Sequence, residues 1–288
     1  MPTQAYSFDL FYKIHARYPH PSLFTLNDNA YYRAFNTDDG LSLLKVDADN
    51  SDLTITPIIG TAPIDTIEHI LGIDTQLDDF YDIAQSDKSL WNIVEPLLGL
   101  PLYRSENLYE ALIFVIIEQH IAWVNAQKAQ RALIEWGDNT IEYDNKKYYV
   151  MPPPEQLAQA TIDDLRPLKI TFKRMQLLID IAQEFADDAS FLQQTDITTP
   201  ETLYKDLLKI KGVGHWTASV VVSRATGVYP FVPHNDVALQ AAVAEYFSVE
   251  KSAKATTEIF EVYNEFAGLA AHFTLMKWVL DKYPIVNG

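Results

Sequence analysis

Apolar and polar positions alternate through the first part of the chain. The segments Tyr31–Phe35, Leu41–Val46 and Leu53–Thr56 show this alternation, which is typical of antiparallel strands with one buried face. Turn-forming residues interrupt the pattern at positions 27–29, 38–40 and 49–51. The apolar spacing of Ile64–Leu71 instead indicates a helix. We therefore predict a small antiparallel sheet covered by one helix, in a domain that spans residues 1–74.

From residue 75 onward, the apolar positions recur every three to four residues. This period is typical of helices that bury one face, and short breaks separate the segments. The predicted helices lie near residues 76–84, 87–98, 107–119, 125–136, 154–166, 171–187, 200–208, 215–226, 236–246, 252–264 and 268–282. The breaks at 136–139 and 150–155 are interpreted as loops. The chain is thus predicted to be an α+β protein, with a mainly α-helical domain over residues 75–288.

The most distinctive motif lies at a predicted hairpin between two helices, at about residues 200–226. Positions 207–218 read Leu-Leu-Lys-Ile-Lys-Gly-Val-Gly-His-Trp-Thr-Ala. Gly212 and Gly214 can adopt positive φ and lack a Cβ, so the backbone can turn tightly and approach another molecule closely. The amides that open the next helix then face outward, ready to bind a phosphate oxygen. Twenty residues beyond Trp216, Asp236 stands where a further helix should begin.

Together these segments resemble the helix-hairpin-helix DNA glycosylases, and among them the 3-methyladenine DNA glycosylase II type. The resemblance extends to residues 108–121, 150–158, 172–174 and 266–278. It implies that the sheet domain is followed by a two-lobed helical domain with the active cleft between its lobes. The implied partner is double-stranded DNA that contains a damaged base, and the nucleotide rotates out of the duplex before the base is removed.

The resemblance assigns the carboxylate of Asp236 to base excision. Positive charge develops on the sugar as the N-glycosidic bond breaks, and a nearby carboxylate can stabilise that charge or orient the attacking water. The residue types alone support a second interpretation, in which Asn235 or Asp236 caps the helix that starts at Val237. One carboxylate could serve both purposes. His234 could assist as a second general base, or it could be an exposed turn residue.

The base pocket implied by the resemblance is lined by Trp216, Gln119, Val220 and Phe266. Strand-cutting members carry a lysine at the position of Trp216, and its amine forms a Schiff base with the sugar. The indole has no such amine, so lyase activity is expected to be absent, and its π face could stack on an alkylated purine. Val220 replaces an aromatic residue of well-known members. The residues alone leave open a core tryptophan and a solvent-facing Gln119.

DNA contacts are expected along the hairpin and at one loop upstream of it. The hairpin set comprises Lys211, Gly212, Val213, Gly214, His215 and Thr217. His120 occupies the position of the wedge that family members insert into the gap left by the flipped nucleotide, or it lies at a helix end that faces solvent. A further family trait is a monovalent cation, Na⁺ or K⁺, bound by the carbonyls of Leu208, Ile210 and Val213. No other cofactor is expected.

Composition excludes several other classes. The 288 residues include no cysteine, which excludes disulfides, thiolate zinc sites and a cysteine-ligated iron–sulfur cluster. No signal-peptide pattern and no membrane-spanning apolar run are visible, so a cytoplasmic protein is expected, or a nuclear one in a eukaryote. A monomer is also expected. The net charge of −17 is opposite to that of typical DNA-binding proteins, although seven lysines and arginines gather between residues 169 and 224.

The expected function is that of a monofunctional DNA glycosylase that releases alkylated purines of the 3-methyladenine type and leaves an abasic site. Two alternatives stay open. One is a glycosylase of the same superfamily for oxidised or deaminated bases, and the other is a non-catalytic helix-hairpin-helix module that binds damaged DNA. The acidic charge and Val220 favour the non-catalytic module, and release of free base from alkylated DNA would exclude it.

Overall fold

The structure, a computed structural model, describes residues 6–49, 52–192 and 199–286. Its strands are β1 (Phe24–Asn27), β2 (Ala30–Thr37), β3 (Gly40–Asp49), β4 (Asp52–Ile59), β5 (Thr140–Tyr143) and β6 (Lys146–Tyr149). Its α-helices are α1 (Phe8–His15), α2 (Ile64–Leu71), α3 (Asp78–Ser86), α4 (Lys88–Val94), α5 (Leu108–Glu118), α6 (Trp123–Gly137), α7 (Pro154–Ala158), α8 (Phe172–Asp187), α9 (Pro200–Leu207), α10 (His215–Thr226), α11 (Val237–Phe247), α12 (Ala253–Phe260) and α13 (Ala267–Lys282). Short 3₁₀ helices occupy Glu95–Leu97, Arg166–Leu168 and Glu261–Phe266.

Residue contacts group the chain into two compact units, each discontinuous in sequence. Unit 1 takes the described residues within Met1–Ile14, His69–Ser105 and Thr195–Pro284, and unit 2 takes those within His15–Glu68, Glu106–Gln194 and Ile285–Gly288. Unit 1 contains α3, α4 and α9 to α13, whereas unit 2 contains all six strands and α5 to α8. The domain boundary at residue 74 stays a prediction. No helix in the described ranges combines the length and the apolar character needed to cross a membrane.

Unit 2 contains the antiparallel sheet predicted from the alternating pattern. Its four strands follow the order β1-β2-β3-β4, and the first of them was not predicted. Asp28 and Asn29 connect β1 to β2 with φ angles of 50° and 58°. These left-handed values are typical of a two-residue hairpin turn, which asparagine and aspartate tolerate. The turn predicted at 49–51 lies partly outside the described residues.

The hairpin of β5 and β6 contradicts the prediction that everything after residue 74 is helical. Asp144 and Asn145 form its two-residue turn, with φ angles of 49° and 56°. Alternating residues around an Asp-Asn turn are a hairpin signal, which the sequence interpretation missed. Ile141 and Tyr148 pack in one core cluster with Ala34 of β2. The four-stranded sheet therefore supplies the burial that a lone two-stranded hairpin lacks.

Three predicted helices end at least four residues earlier than expected, and α1 was not predicted. The helix over 87–98 ends at Val94, the helix over 154–166 stops at Ala158, and the helix over 252–264 ends at Phe260. Beyond α7, Asp164 accepts hydrogen bonds from the amide and the hydroxyl of Thr161 at 2.8 and 2.6 Å. Such local side-chain bonds compete with the helical pattern. Pro167 then lacks the amide donor that a longer helix would need.

Arg33 is a charged residue at a buried position of β2. Only 1% of its side chain is exposed, and its guanidinium lies 2.6 Å from the Glu110 carboxylate and 3.2 Å from that of Glu106. The pKa of Glu106 lies above its usual value. Burial is the main cause and the charge of Glu110 adds to it, although the charge of Arg33 acts in the opposite direction. Loss of one partner would leave the others charged and buried. The cluster thus ties the sheet to α5, which ends next to Gln119 and His120.

His272 is a titratable residue packed within unit 1. Its ring centroid lies 4.5 Å from that of Tyr229. Burial, and then the positive charge of Arg224, lower the pKa of His272 from 6.5 to about 3. The imidazole is therefore neutral in the folded protein at neutral pH. It acquires a proton much more readily once the chain unfolds.

We predict that His272 contributes to the acid sensitivity of the fold. As the pH falls from 6.5 toward 3, the unfolded chain binds a proton that folded His272 refuses, so the free energy of unfolding decreases. His272→Phe keeps a ring beside Tyr229 and should lose less stability than the wild type between about pH 7 and about pH 4. Urea unfolding at each pH measures this. The control His120→Gln, at an exposed position, should follow the wild type, and equal pH slopes for wild type and His272→Phe would contradict the prediction.

Candidate active site and hairpin

The hairpin predicted at residues 200–226 is formed by α9 and α10 within unit 1. Residues 208–214 connect the two helices. Gly212 has a φ of +103°, in a region that residues with a Cβ rarely adopt. The amide of Val213 donates to the carbonyl of Ile210 at 3.0 Å and closes the turn. Only one of the two glycines therefore uses the conformational freedom expected of both.

Gly214 serves a different purpose from Gly212. Its φ of −105° and ψ of −177° are extended values that any residue can adopt. A Cβ built on Gly214 would meet no described atom within 4 Å. The missing side chain therefore leaves open space directly at the start of α10. The first amides of a helix lack intrahelical acceptors, so this is where a phosphate oxygen would be bound.

Asp236 caps α11 and also accepts a hydrogen bond from Trp216. Its Oδ1 accepts from the amides of Ala238 and Leu239 at 2.8 and 2.9 Å, which confirms the capping interpretation. Its Oδ2 accepts from Nε1–H of the indole at 2.8 Å. Each carboxylate oxygen thus has its own partner. The positive end of the α11 dipole further favours a negative charge at this place.

Trp216 therefore acts as a hydrogen-bond donor as well as an aromatic side chain. The residue is partly buried near the start of α10, and its N–H is directed at the carboxylate of Asp236. A hydrogen bond to a charged acceptor is shorter and stronger than one between neutral groups, so it fixes the plane of the indole as well as the carboxylate. The role of Trp216 as a platform for a flipped base stays a prediction.

The other predicted residues of unit 1 lie in varied surroundings. Thr217 is buried, Lys211 is exposed and Val220 is partly buried one turn beyond Trp216. The ring of Phe266 lies 6.1 Å from that of Phe80, so Phe266 adjoins the aromatic core. Among the described ring contacts, none joins Phe266 to Trp216.

Gly268 lies at a close approach between two backbone segments of unit 1. A Cβ at this position would lie 2.2 Å from the carbonyl oxygen of Tyr229 and 2.8 Å from that of Phe231. The segment that leads to Asp236 therefore packs directly against the backbone of α13. Any side chain at position 268 would displace that segment.

His215 turns its side chain into the protein. Its Nε2 lies 2.8 Å from the carbonyl oxygen of Val232, and its Nδ1 lies 2.7 Å from the hydroxyl of Tyr204. The ring of His234 stacks on it at 4.3 Å between centroids. Burial, and then the neighbouring His215, lower the pKa of His234. His234 is thus neutral at neutral pH, the form that can accept a proton. The backbone amide of His215 stays a predicted phosphate ligand.

Gln119 and His120 lie in unit 2, where α5 ends. Gln119 is only 8% exposed, so it does not turn toward solvent, whereas His120 is exposed with a φ of 52°. Arg174 donates to the carbonyls of Ile117 and Gln119 at 3.1 and 2.5 Å. These bonds satisfy carbonyls that the end of a helix leaves without partners. Part of the Arg174 guanidinium is therefore used inside unit 2, and not for DNA.

The carbonyls predicted to hold a monovalent cation belong to Leu208, Ile210 and Val213, all in the hairpin turn. Carbonyl oxygens are ligands that hard cations prefer, so the donor set fits Na⁺ or K⁺. The oxygen of Ile210 already accepts the amide of Val213, but a carbonyl has two lone pairs. The cation stays a prediction.

The sequence is similar to that of a curated DNA-3-methyladenine glycosylase. The chain matches no family model. It is 31% identical over 167 residues to a DNA-3-methyladenine glycosylase of Bacillus subtilis (strain 168), in a match that covers 58% of this chain and 55% of that protein. The chain therefore spans about half the length of this curated relative.

Solved structures share the fold over nearly the whole chain. A 3-methyladenine DNA-glycosylase from Archaeoglobus fulgidus has a TM-score of 0.81 at 22% identity and covers 96% of both chains. An 8-oxoguanine glycosylase/lyase from Clostridium acetobutylicum, bound to double-stranded DNA with cytosine opposite to 8-oxoG, has a TM-score of 0.76 at 17% identity and covers 95% of this chain and 91% of its own. At these identities the likeness establishes the fold alone.

The α+β architecture and the hairpin before Asp236 define a helix-hairpin-helix protein. Its sequence is similar to that of the Bacillus subtilis DNA-3-methyladenine glycosylase, and its fold is that of DNA glycosylases of known structure.

We predict that Gly214→Val weakens DNA binding without destabilising the protein. The backbone at Gly214 suits any residue and its surroundings are open, so the fold should tolerate the side chain. A phosphate at the start of α10 would meet it. Affinity should fall for damaged and undamaged duplexes alike, because phosphate contacts carry no sequence information.

Gly212→Ala is the matched contrast to Gly214→Val. Its left-handed backbone should cost about 1–2 kcal/mol of stability. Thermal unfolding and the fluorescence anisotropy of a labelled duplex measure the two effects. Unchanged DNA affinity in folded Gly214→Val would mean that the start of α10 does not approach the DNA backbone.

Proposed function

We propose that the protein is a monofunctional DNA glycosylase that flips alkylated purines of the 3-methyladenine type out of double-stranded DNA and hydrolyses their N-glycosidic bond. The observation that carries this proposal is the hydrogen bond between Trp216 and Asp236, two residues that stand directly after the hairpin and directly before α11. The product is free base and DNA with an abasic site. The protein acts as a monomer.

The relatives support the alkylated-base assignment. The Bacillus subtilis protein and the Archaeoglobus fulgidus structure both carry names that refer to 3-methyladenine. DNA binding is supported by neighbours solved with DNA, such as the Clostridium acetobutylicum enzyme. The sequence match covers little more than half of this chain, so the proposal also rests on the geometry of the site residues.

Asp236 acts on the charge of the transition state. Three hydrogen bonds hold its carboxylate, two from the start of α11 and one from the indole. A charge fixed in advance needs no reorganisation when the sugar becomes positive, which makes its stabilising effect larger than that of a mobile group. The same carboxylate can orient the attacking water through its remaining lone pairs.

Trp216 decides the subclass and contributes to base binding. An indole cannot form an imine, so the strand stays intact. The π face of Trp216 attracts the positive charge of an alkylated purine more strongly than a neutral base. We keep Gln119, Val220 and Phe266 as proposed contacts of the base, and His120 as the proposed wedge.

The acidic surface limits how the enzyme holds DNA. With a net charge of −17, few phosphates are neutralised by lysine or arginine, so the hairpin amides provide the main backbone contact. Lys209 in the hairpin already pairs with Asp206 at 2.7 Å. Because few counterions are released on binding, the affinity should depend only weakly on salt concentration.

Asp236→Asn should abolish base release while DNA binding persists. Asparagine is a good helix cap, so Oδ1 can keep the amides of α11, but the new amide nitrogen faces the indole N–H. We expect single-turnover release to fall by about 100-fold or more and stability by about 1 kcal/mol. High-performance liquid chromatography of the base released from alkylated DNA gives the rate. Release at near wild-type rate would remove Asp236 from the mechanism.

Borohydride should trap no covalent complex between the protein and DNA. No amine occupies position 216, so product DNA should stay uncut until alkali or a separate endonuclease cleaves it. A strand-cutting glycosylase with the hairpin lysine serves as the positive control on the same gel. A trapped band would show that another lysine, with Lys211 closest in sequence, reaches the sugar. The proposed substrate would then move to oxidised bases.

A further inference from the structure

Two consecutive residues of α10 bind the segment that carries the carboxylate. His215 contacts Val232 and Trp216 contacts Asp236. The indole bond acts on the carboxylate itself, whereas the imidazole bond acts four residues earlier in the chain. The two bonds together fix both ends of the segment 232–236 against the start of the same helix.

The partner of Nε2 determines the proton position on His215. A carbonyl oxygen can only accept, so Nε2 carries the hydrogen that it donates to Val232. The same carbonyl accepts the amide of His234 at 2.8 Å, and the carbonyl of Pro233 accepts the amide of Asp236 at 2.8 Å. The segment therefore consists of two short turns, and His215 holds the first carbonyl of the first turn.

The imidazole of His215 is itself held from the other side. Its Nδ1 lies 2.7 Å from the hydroxyl of Tyr204 on α9. The ring of Tyr204 stacks on Phe231 with centroids 4.0 Å apart, just before the segment begins. The ring of His234 stacks on one face of the imidazole. Both helices of the hairpin thus contribute to the position of the segment.

We propose that His215 is a positioning residue, which sets the place of the Asp236 carboxylate relative to the DNA backbone bound by the hairpin. This rests on the proposed function. The backbone amide of His215 belongs to the predicted phosphate contact, while its side chain holds the segment that ends at Asp236. One residue therefore relates the bound phosphate to the group that acts on the sugar. An error of about 1 Å in such an arrangement can cost about 100-fold in rate.

Replacement of His215 by leucine and by glutamine tests this role. Leucine removes the donor to Val232, whereas the amide of glutamine places an N–H close to the position of Nε2. We expect His215→Leu to lower the single-turnover rate of base release by about 10- to 100-fold and to change DNA affinity by no more than about threefold. His215→Gln should restore most of the rate. His272→Phe, which alters another packed histidine of unit 1, controls for general perturbation and should keep the wild-type rate.

A second readout does not require activity. The indole N–H of Trp216 gives its own resonance in a ¹H–¹⁵N spectrum, which the Trp216→Phe variant identifies by its disappearance. In His215→Leu this resonance should move upfield as the bond to Asp236 weakens, and in His215→Gln it should stay near its wild-type position. If His215→Leu does not fold, Tyr204→Phe keeps the ring on Phe231, removes only the hydroxyl contact, and should shift the resonance less but in the same direction.

The two readouts separate the two proposals. A wild-type protein that releases no base, but whose Trp216 resonance moves in His215→Leu, would overturn the proposed function and support the positioning role. A folded His215→Leu variant with an unchanged resonance would overturn the positioning role, whatever its rate.

Discussion

The carboxylate of Asp236 accepts hydrogen bonds from two different helices, and the position of the candidate active site depends on these bonds. One oxygen accepts the first amides of α11, and the other accepts the indole of Trp216. Both sets of donors belong to regular helices, so the carboxylate is held from α10 and from α11. A group that must act on developing charge benefits from this rigidity, because no free energy is needed to reorient it during the reaction. A lysine at position 216 would remove this indole donor.

The longer segment 229–236, which leads to Asp236, is contacted from several sides within unit 1. His215 binds it from α10, Tyr204 stacks on it from α9, and Gly268 lets it lie directly on the backbone of α13. Loops of this kind are often mobile, and function then depends on the scaffold that places them. Here the scaffold acts through side chains of the hairpin itself. In the proposed function, binding of the DNA backbone and placement of the carboxylate therefore depend on one contiguous structure.

Two of the arginine side chains bind groups within the protein. Arg33 is paired with two glutamates inside unit 2, and Arg174 donates to the end of α5. These arginines stabilise the fold and are wholly or partly unavailable to phosphates. The uncharged amides at the start of α10 can still bind a phosphate, because the helix dipole and the open space at Gly214 do not depend on net charge.

The sequence by itself determined the features that depend on neighbouring residues. The periodicity predicted the sheet and most helices, the glycine spacing predicted the hairpin, and the residue types predicted a cap at Asn235 or Asp236, because each follows from local backbone geometry. Tertiary structure alone decided how distant segments meet. The hairpin of β5 and β6 depends on burial against β2, and the inward turn of His215 depends on Val232. Likewise, the indole reaches Asp236 only because the chain after α10 folds back to the start of that helix. Such contacts join residues that are far apart in the chain. Local sequence patterns do not indicate which distant surface will pack against a given residue.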